Sequence, residues 1–268
     1  MVPNHAVQNL QGVAPPMNKK LKTQNSILKT PPVLAVIMAR GGSVGLPGKA
    51  LRPLLGRPVL TYTLDHVRES TLITHSVVSS DDPAILALAQ QNGFATIVRP
   101  PELATNTAAT DPVLRHAVKT LTVAGTEAGT LRVPSAVVML YGNVPLRRHH
   151  MIDRCIQLLL DTGCDSVQTI APVGKMHPYW MFDLDPAGHI TKHIPNHVFR
   201  RQDLPPLFGP TGAVYVMRTE VLMAAESSED PHAFLGTDRR GLVVAPEDSV
   251  DIDTQRDLWL AEAALRNP

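Results

Sequence analysis

From Pro32 onward the chain alternates short, almost continuously apolar runs with longer segments in which apolar residues recur every three or four positions. The apolar runs predict strands at 33–39, 75–79, 95–98, 136–141, 166–171, 213–217 and 242–245. Most are rich in Val, Ile and Leu and lack strict apolar–polar alternation, so helices are expected on both faces of the sheet. Helix starts lie between the runs. Pro58 ahead of Val59 and Leu60 suits a first turn, and Asp82-Pro83 and Asp111-Pro112 each place a carboxylate N-cap before a proline. Thr254 to Asp257 resembles a capping box that opens a helix through Leu258, Leu260, Ala261 and Leu265. The pattern predicts an α/β fold with a doubly wound, mainly parallel sheet. Ligands of such sheets sit beyond the C-terminal strand edges, where residues 40–49 fall.

Residues 172–210 break the alternation. They hold five of the eleven aromatics (Tyr179, Trp180, Phe182, Phe199 and Phe208) and four of the eleven histidines. Asp185-Pro186-Ala187-Gly188 reads as a turn between two extended arms. The segment is either a lid and dimerisation arm or an ordinary surface hairpin; the aromatic cluster favours the arm.

Composition narrows the class. The chain has 268 residues, 44% of them hydrophobic, enough for one large domain, placed at 32–268. A net charge of +1 argues against nucleic-acid binding by bulk electrostatics. Residues 1–31 carry Lys19, Lys20, Lys22 and Lys29 among polar residues and read as a disordered extension or the product of an upstream start codon. With neither a secretory-type apolar stretch nor a run of membrane-span length, a cytoplasmic protein is expected. Cys155 and Cys164 make no disulfide framework and read as small core residues. Isolated His66, His116, His149, His150 and His177 suggest no triad and read as helix-surface or loop residues.

Candidate chemistry gathers in two places. The loop Ala39-Arg40-Gly41-Gly42-Ser43-Val44-Gly45-Leu46-Pro47-Gly48-Lys49 directly follows the first strand. Its glycines let backbone N–H groups approach an anion, and its two cations can neutralise phosphates. It fits neither a dinucleotide fingerprint nor a P-loop, because Ala50 follows Lys49. Asp251 and Asp253 are two apart, so on extended backbone both carboxylates face one side. Such a pair suits a hard divalent cation such as Mg²⁺; the alternative is that they cap the final helix.

Five segments in order are similar to the sialic-acid-activating (acylneuraminate) cytidylyltransferases, sugar nucleotidyltransferases with a Rossmann-like fold. They are the 40–49 loop, Arg99-Pro100-Pro101-Glu102-Leu103-Ala104 with Thr107 and Asp111, residues 140–147, Pro210-Thr211-Gly212-Ala213-Val214-Tyr215-Val216, and Asp248–Thr254. The resemblance implies CTP as co-substrate, Mg²⁺, an acidic 2-keto sugar as acceptor and pyrophosphate as product. It implies that Arg40, Gly41, Gly42, Ser43 and Lys49 form the phosphate loop, with Arg99 and Thr107 near the nucleotide. Asp251 and Asp253 would hold the metal, and Arg40, Lys49 and Asp253 would act in catalysis. Tyr141, Asn143, Arg200, Arg201 and Thr211 would face the sugar. It also implies a homodimer through the 172–210 arm, with no nucleic-acid or membrane partner.

The departures from the family pattern fall mostly at the sugar end. Val44 replaces a lysine, Ala50 and Thr211 asparagines, Tyr141 a glutamine, Gly209 an arginine, and Trp180 lies near a lysine position. A buried polar group left unpaired costs about 1–3 kcal/mol, so either the sugar differs from sialic acid or neighbouring residues compensate. A same-fold enzyme for another sugar or base, and a degenerate binding or scaffold homologue, remain alternatives.

Overall fold

The computed structural model describes residues 31–43, 45–128 and 133–267. The extension expected over 1–31, apart from Pro31, and Val44 lie outside the described residues. Among the described residues, β1 (Val33–Met38), β2 (His75–Ser80), β3 (Ala95–Val98), β4 (Ala136–Tyr141), β5 (Ser166–Pro172), β6 (Phe208–Arg218) and β7 (Arg239–Val243) form one sheet. Their order is β7-β5-β6-β4-β1-β2-β3. β6 is antiparallel to both neighbours, and all other pairings are parallel. Each predicted strand is present. β6 differs most, starting at Phe208 rather than 213 and breaking register between Pro210 and Tyr215.

Among the described residues there are six α-helices, five between sheet strands and the sixth after the last of them: α1 (Val59–Glu69), α2 (Pro83–Gln91), α3 (Thr110–Ala128), α4 (Met151–Thr162), α5 (Thr219–Ala224) and α6 (Gln255–Arg266). β1 explains why they lie on both faces. All six of its residues are buried. Val33, Ala35 and Ile37 pack with residues of α1, α2 and α4, while Leu34, Val36 and Met38 pack with residues of α3 and α5. Each fully buried Val, Ile or Leu contributes about 1.5–3 kcal/mol, more than a surface ion pair supplies, so apolar burial fixes the sheet. Cys155 and Cys164 are free and buried, as expected of small core residues.

The caps show local sequence at work. Asp82 accepts from the Ala84 N–H with Pro83 in the first turn, and Thr254 and Asp257 form the reciprocal capping box of α6. Asp111 does not cap. α3 starts one residue earlier, at Thr110, and the Asp111 carboxylate pairs with Arg115 one turn on. An arginine at i+4 offers a charged partner that a free N-terminus would otherwise supply.

Residues 172–210 leave the sheet as a ribbon, Phe182–Leu184 pairing with Ile190–Lys192 around the expected turn, where the Gly188 N–H donates to Asp185 O. Phe182, Leu184, Ile190 and Phe199 are exposed, Phe199 at 90%. His177 is not a surface histidine. It is 2% exposed and anchors the ribbon, with Nδ1 accepting from the Tyr179 N–H and Nε2 facing Pro205 O at 3.1 Å.

His66 also differs from the surface reading. It packs half-buried on α1, with Nδ1 3.5 Å from Arg147 Nη1. Burial, with the Arg147 guanidinium beside it, lowers its pKa to about 3. Between that value and the ordinary 6.5 the unfolded chain binds a proton the folded chain refuses, so this histidine makes stability rise with pH up to about 6.5 and leaves it level above. We expect His66→Asn to flatten the fall in urea midpoint between pH 6.5 and 4, removing up to about 1.4 kcal/mol per pH unit. Equal slopes in the two proteins would show that His66 protonates freely in the fold.

Candidate active site

The chain reverses its direction of sheet building between β1 and β4: β2 and β3 extend one side of β1, and β4 lies on the other. A cleft of about 530 Å³ opens where these strands end, lined by Met38 and Ala39 at the end of β1 and by Tyr141 and Asn143 at the end of β4. One wall is the glycine-rich loop, with Arg40, Lys49 and Ala50. A second comes from Arg99, Thr105, Asn106 and Thr110 ahead of and at the start of α3. The third combines Thr211, Gly212 and Tyr215 of β6 with Asp251 and Asp253.

Local structure explains why these groups converge. Asp251 and Asp253 line the cleft just ahead of α6, while Ile252 between them turns into the protein. Ile252 is wholly buried with Leu46, Leu54, Val59, Leu258 and Ala261. Because Leu46 belongs to the glycine-rich loop, this small core seats the loop against the two aspartates. Gly45 fits because it lacks a side chain: a Cβ there would lie 2.6 Å from the Asp253 carbonyl oxygen. Lys49 Nζ then reaches Asp253 Oδ1 at 2.7 Å. Capping of α6 falls to Thr254, not to either carboxylate.

Asn143 holds the other aspartate. Its side-chain amide donates to Asp251 Oδ1 and to Ile252 O, the latter at 2.9 Å, while its backbone carbonyl accepts from the Ile252 N–H. Burial, and then the charge of Asp253, raise the Asp251 pKa to about 6, with Lys49 and Arg147 opposing. This pair fits a divalent cation on the chemistry of its donors. Both are hard oxygen ligands, their repulsion would be offset by a cation between them, and one already holds an ammonium. Among the described residues no cluster of three or more such ligands occurs.

The β6 register break serves the same cleft. Between Pro210 and Tyr215 the strand carries extra residues against β5, with Gly212 left-handed at φ 73°. This irregularity turns Thr211 and Gly212 into the cleft. Thr211 Oγ1 lies 2.7 Å from Thr169 Oγ1. Burial first, with Tyr215 and Asp251 adding, raises the Tyr141 phenol to about 12. It therefore stays protonated at neutral pH and can donate.

Of the residues selected from sequence, Arg40, Lys49, Arg99, Tyr141, Asn143, Thr211, Asp251 and Asp253 line the cleft together. Arg40 donates to Thr105 O and Asn106 Oδ1, both at 2.9 Å. Buried Arg99 donates to Ser79 O at 2.8 Å, and burial lowers its pKa. Gly41, Gly42 and Ser43 flank the lining; the Gly41 N–H donates to Asp81, and Ser43 Oγ is buried without a partner. Thr107 is exposed and outside the lining, where Thr105 and Asn106 stand instead. Arg200 and Arg201 are exposed on the arm and do not line the cleft; Arg200 grips Asp203 through two bonds of 2.7 and 2.9 Å. Sequence reasoning missed Thr105, Asn106, Thr110 and Tyr215. Only Tyr215 gave a signal, as a polar tip inside an apolar strand.

Comparison with known proteins agrees with this architecture. A family model described as Cytidylyltransferase matches residues 34–223. The N-acylneuraminate cytidylyltransferase of Streptococcus agalactiae serotype III is 27% identical over 227 residues, 84% of this chain and 51% of that protein. The CMP-N,N'-diacetyllegionaminic acid synthase of Legionella pneumophila is 29% identical over 241 residues, 87% of this chain and 96% of that protein. The chain thus spans about half the length of the streptococcal relative and nearly all of the Legionella one. The fold is similar to that of a CMP:2-keto-3-deoxy-manno-octonic acid synthetase complexed with CTP, at a TM-score of 0.64 and 18% identity, covering 88% of this chain and 98% of that one.

Seating of the loop by Ile252 is directly testable. Ile252→Ala should lower the unfolding free energy by about 2–5 kcal/mol in urea titration, because the site cannot fully collapse around the lost atoms. A loss below about 1 kcal/mol would show that the loop is seated by other contacts.

Proposed function

The chain belongs to the cytidylyltransferase family, and we propose that it transfers CMP from CTP to the anomeric hydroxyl of an acidic 2-keto sugar, an N-acylneuraminate or related nonulosonate. The observation that carries this reading is one cleft in which the cations of a glycine-rich loop face a pair of carboxylates. The acceptor oxygen forms a bond to the α-phosphorus of CTP while the bond to the β-phosphate oxygen breaks, the hydroxyl proton leaves, and pyrophosphate departs.

Each group has a place in this reaction. Arg40, Lys49 and the loop N–H groups hold the triphosphate and stabilise charge on departing pyrophosphate. Ser43 Oγ, buried and unpartnered, suits a phosphate oxygen. Arg99 lies on the nucleotide side. Asp251 and Asp253 would hold Mg²⁺, which supplies charge neutralisation on the phosphates when bound. Tyr141, Asn143 and Thr211 face the acceptor. Tyr141 stands where the family pattern has a glutamine, and with Tyr215 it gives the acceptor side of the cleft two phenols.

The test is pyrophosphate release from CTP, UTP, GTP or ATP with a panel of nonulosonic and other sugar acids and Mg²⁺. Release with CTP and a nonulosonate is expected; release with another nucleotide alone, or none at all, overturns the reading. Asp251→Asn and Asp253→Asn should each lose most turnover while keeping the fold, and unchanged turnover in either removes the metal assignment. Lys49→Ala should weaken CTP binding about 10- to 100-fold, the equivalent of a charge-assisted phosphate bond of about 1.5–3 kcal/mol.

The arm belongs to the same proposal. Its exposed Phe182, Leu184, Ile190 and Phe199 suit burial against a second copy, which would bring Arg200 or Arg201 to the neighbour's sugar carboxylate. Light scattering should give a dimer at micromolar concentration. Replacing residues 176–199 by a short Gly/Ser linker should give a monomer that binds CTP but transfers poorly. A monomeric intact protein, or full activity in the shortened one, refutes this assembly.

A further inference from the structure

We propose that Arg147, which touches neither nucleotide nor acceptor in the reading above, is the positioning residue that sets the acceptor-facing wall of the cleft. It follows the turn after β4 and is 5% exposed. Burying a guanidinium is costly unless every donor is occupied, so its bonding shows what the fold uses it for. Nε donates to Ala213 O at 2.7 Å. Nη1 donates to Val144 O at 2.6 Å and to Thr63 Oγ1 at 3.0 Å. Nη2 donates to Tyr141 O at 2.8 Å. His66, held neutral, turns Nδ1 toward Nη1 at 3.5 Å.

Three of these acceptors are backbone carbonyls on separate pieces of the wall. Tyr141 ends β4, Val144 lies in the turn beyond Asn143, and Ala213 lies in the irregular part of β6 beside Thr211 and Gly212. The ladder between β4 and β6 begins only at Tyr215 opposite Met139. Beyond that pair, the planar guanidinium spans the gap that sheet hydrogen bonds leave open. Thr63 Oγ1 completes the clamp, within 3.1 Å of Val144 O and 3.3 Å of Tyr141 O. Tyr141, Asn143 and Thr211 are thus held in mutual register by one side chain. Lysine cannot reproduce the fork, because its donors radiate from a single nitrogen.

The inference rests on the proposed reaction, so its test includes readouts that do not need turnover. Arg147→Met, Arg147→Lys and Thr63→Val are made in the full chain. CTP affinity is measured by calorimetry without acceptor, and amide exchange is followed at 141–144 and 211–214. kcat and KM are measured with the acceptor found in the pyrophosphate screen. We expect CTP affinity within threefold of wild type in every variant. Acceptor kcat/KM should fall about 30-fold or more in Arg147→Met, recover part of that in Arg147→Lys, and fall about fivefold in Thr63→Val. Exchange should quicken in both segments but not in β1. The proposal is overturned if Arg147→Met keeps kcat/KM within twofold, if CTP affinity and acceptor efficiency fall together, or if exchange at both segments is unchanged. Should Arg147→Met not fold, Thr63→Val decides by the same readouts. A wild-type enzyme silent with every acceptor refutes the reaction, while the exchange data still judge the clamp.

Discussion

Burial of one isoleucine between two aspartates is the constraint on which the cleft depends. Ile252 turns into the core, where Leu46, Leu54 and Leu258 pack around it, and the carboxylates on either side of it line the cleft. The glycine-rich loop is drawn in by Leu46 rather than by its charges. The Lys49–Asp253 pair at 2.7 Å is then a consequence of apolar packing. With Asp253 68% exposed, that pair contributes little on its own to holding the loop. The chemistry of the wall is set by position, and the position is set by the core beneath it.

Much of this was legible in sequence because it was written locally. Seven short runs, most of them near-continuously apolar, yield the seven sheet strands, and the Asp82-Pro83 and Thr254–Asp257 signals mark real helix starts. Local signals failed where a distant or charged partner intervened. Asp111 looked like a cap until Arg115 claimed it, and His177 looked exposed until the arm folded over it. The cleft shows the same division. The two aspartates and the loop cations carry spacing that chemistry can read. Thr105 and Asn106 sit in an irregular loop with no period, so the choice of Thr107 over its neighbours had nothing to correct it. The register break in β6 is equally silent, since a bulge is defined by the partner strand and not by its own residues.

The third wall brings a phenol-rich surface to carboxylates that are held by an amide. Asn143 satisfies Asp251 and the Ile252 carbonyl at once, so the acid is fixed in direction without losing its charge to a salt bridge. Tyr141, its phenol pushed up to about 12 by burial, adds a donor at the end of β4.

The two halves of the Lys49–Asp253 pair stand 204 residues apart in the chain. The glycine-rich loop therefore leaves the ribosome well before the carboxylates it packs against. During synthesis β1, β2 and β4 can assemble their sheet around an incomplete pocket, with Leu46 still lacking Ile252 to rest on. Closure of the cleft between the glycine-rich loop and the carboxylates then coincides with the docking of α6, whose Leu258 and Ala261 share a core with Leu46 and Ile252.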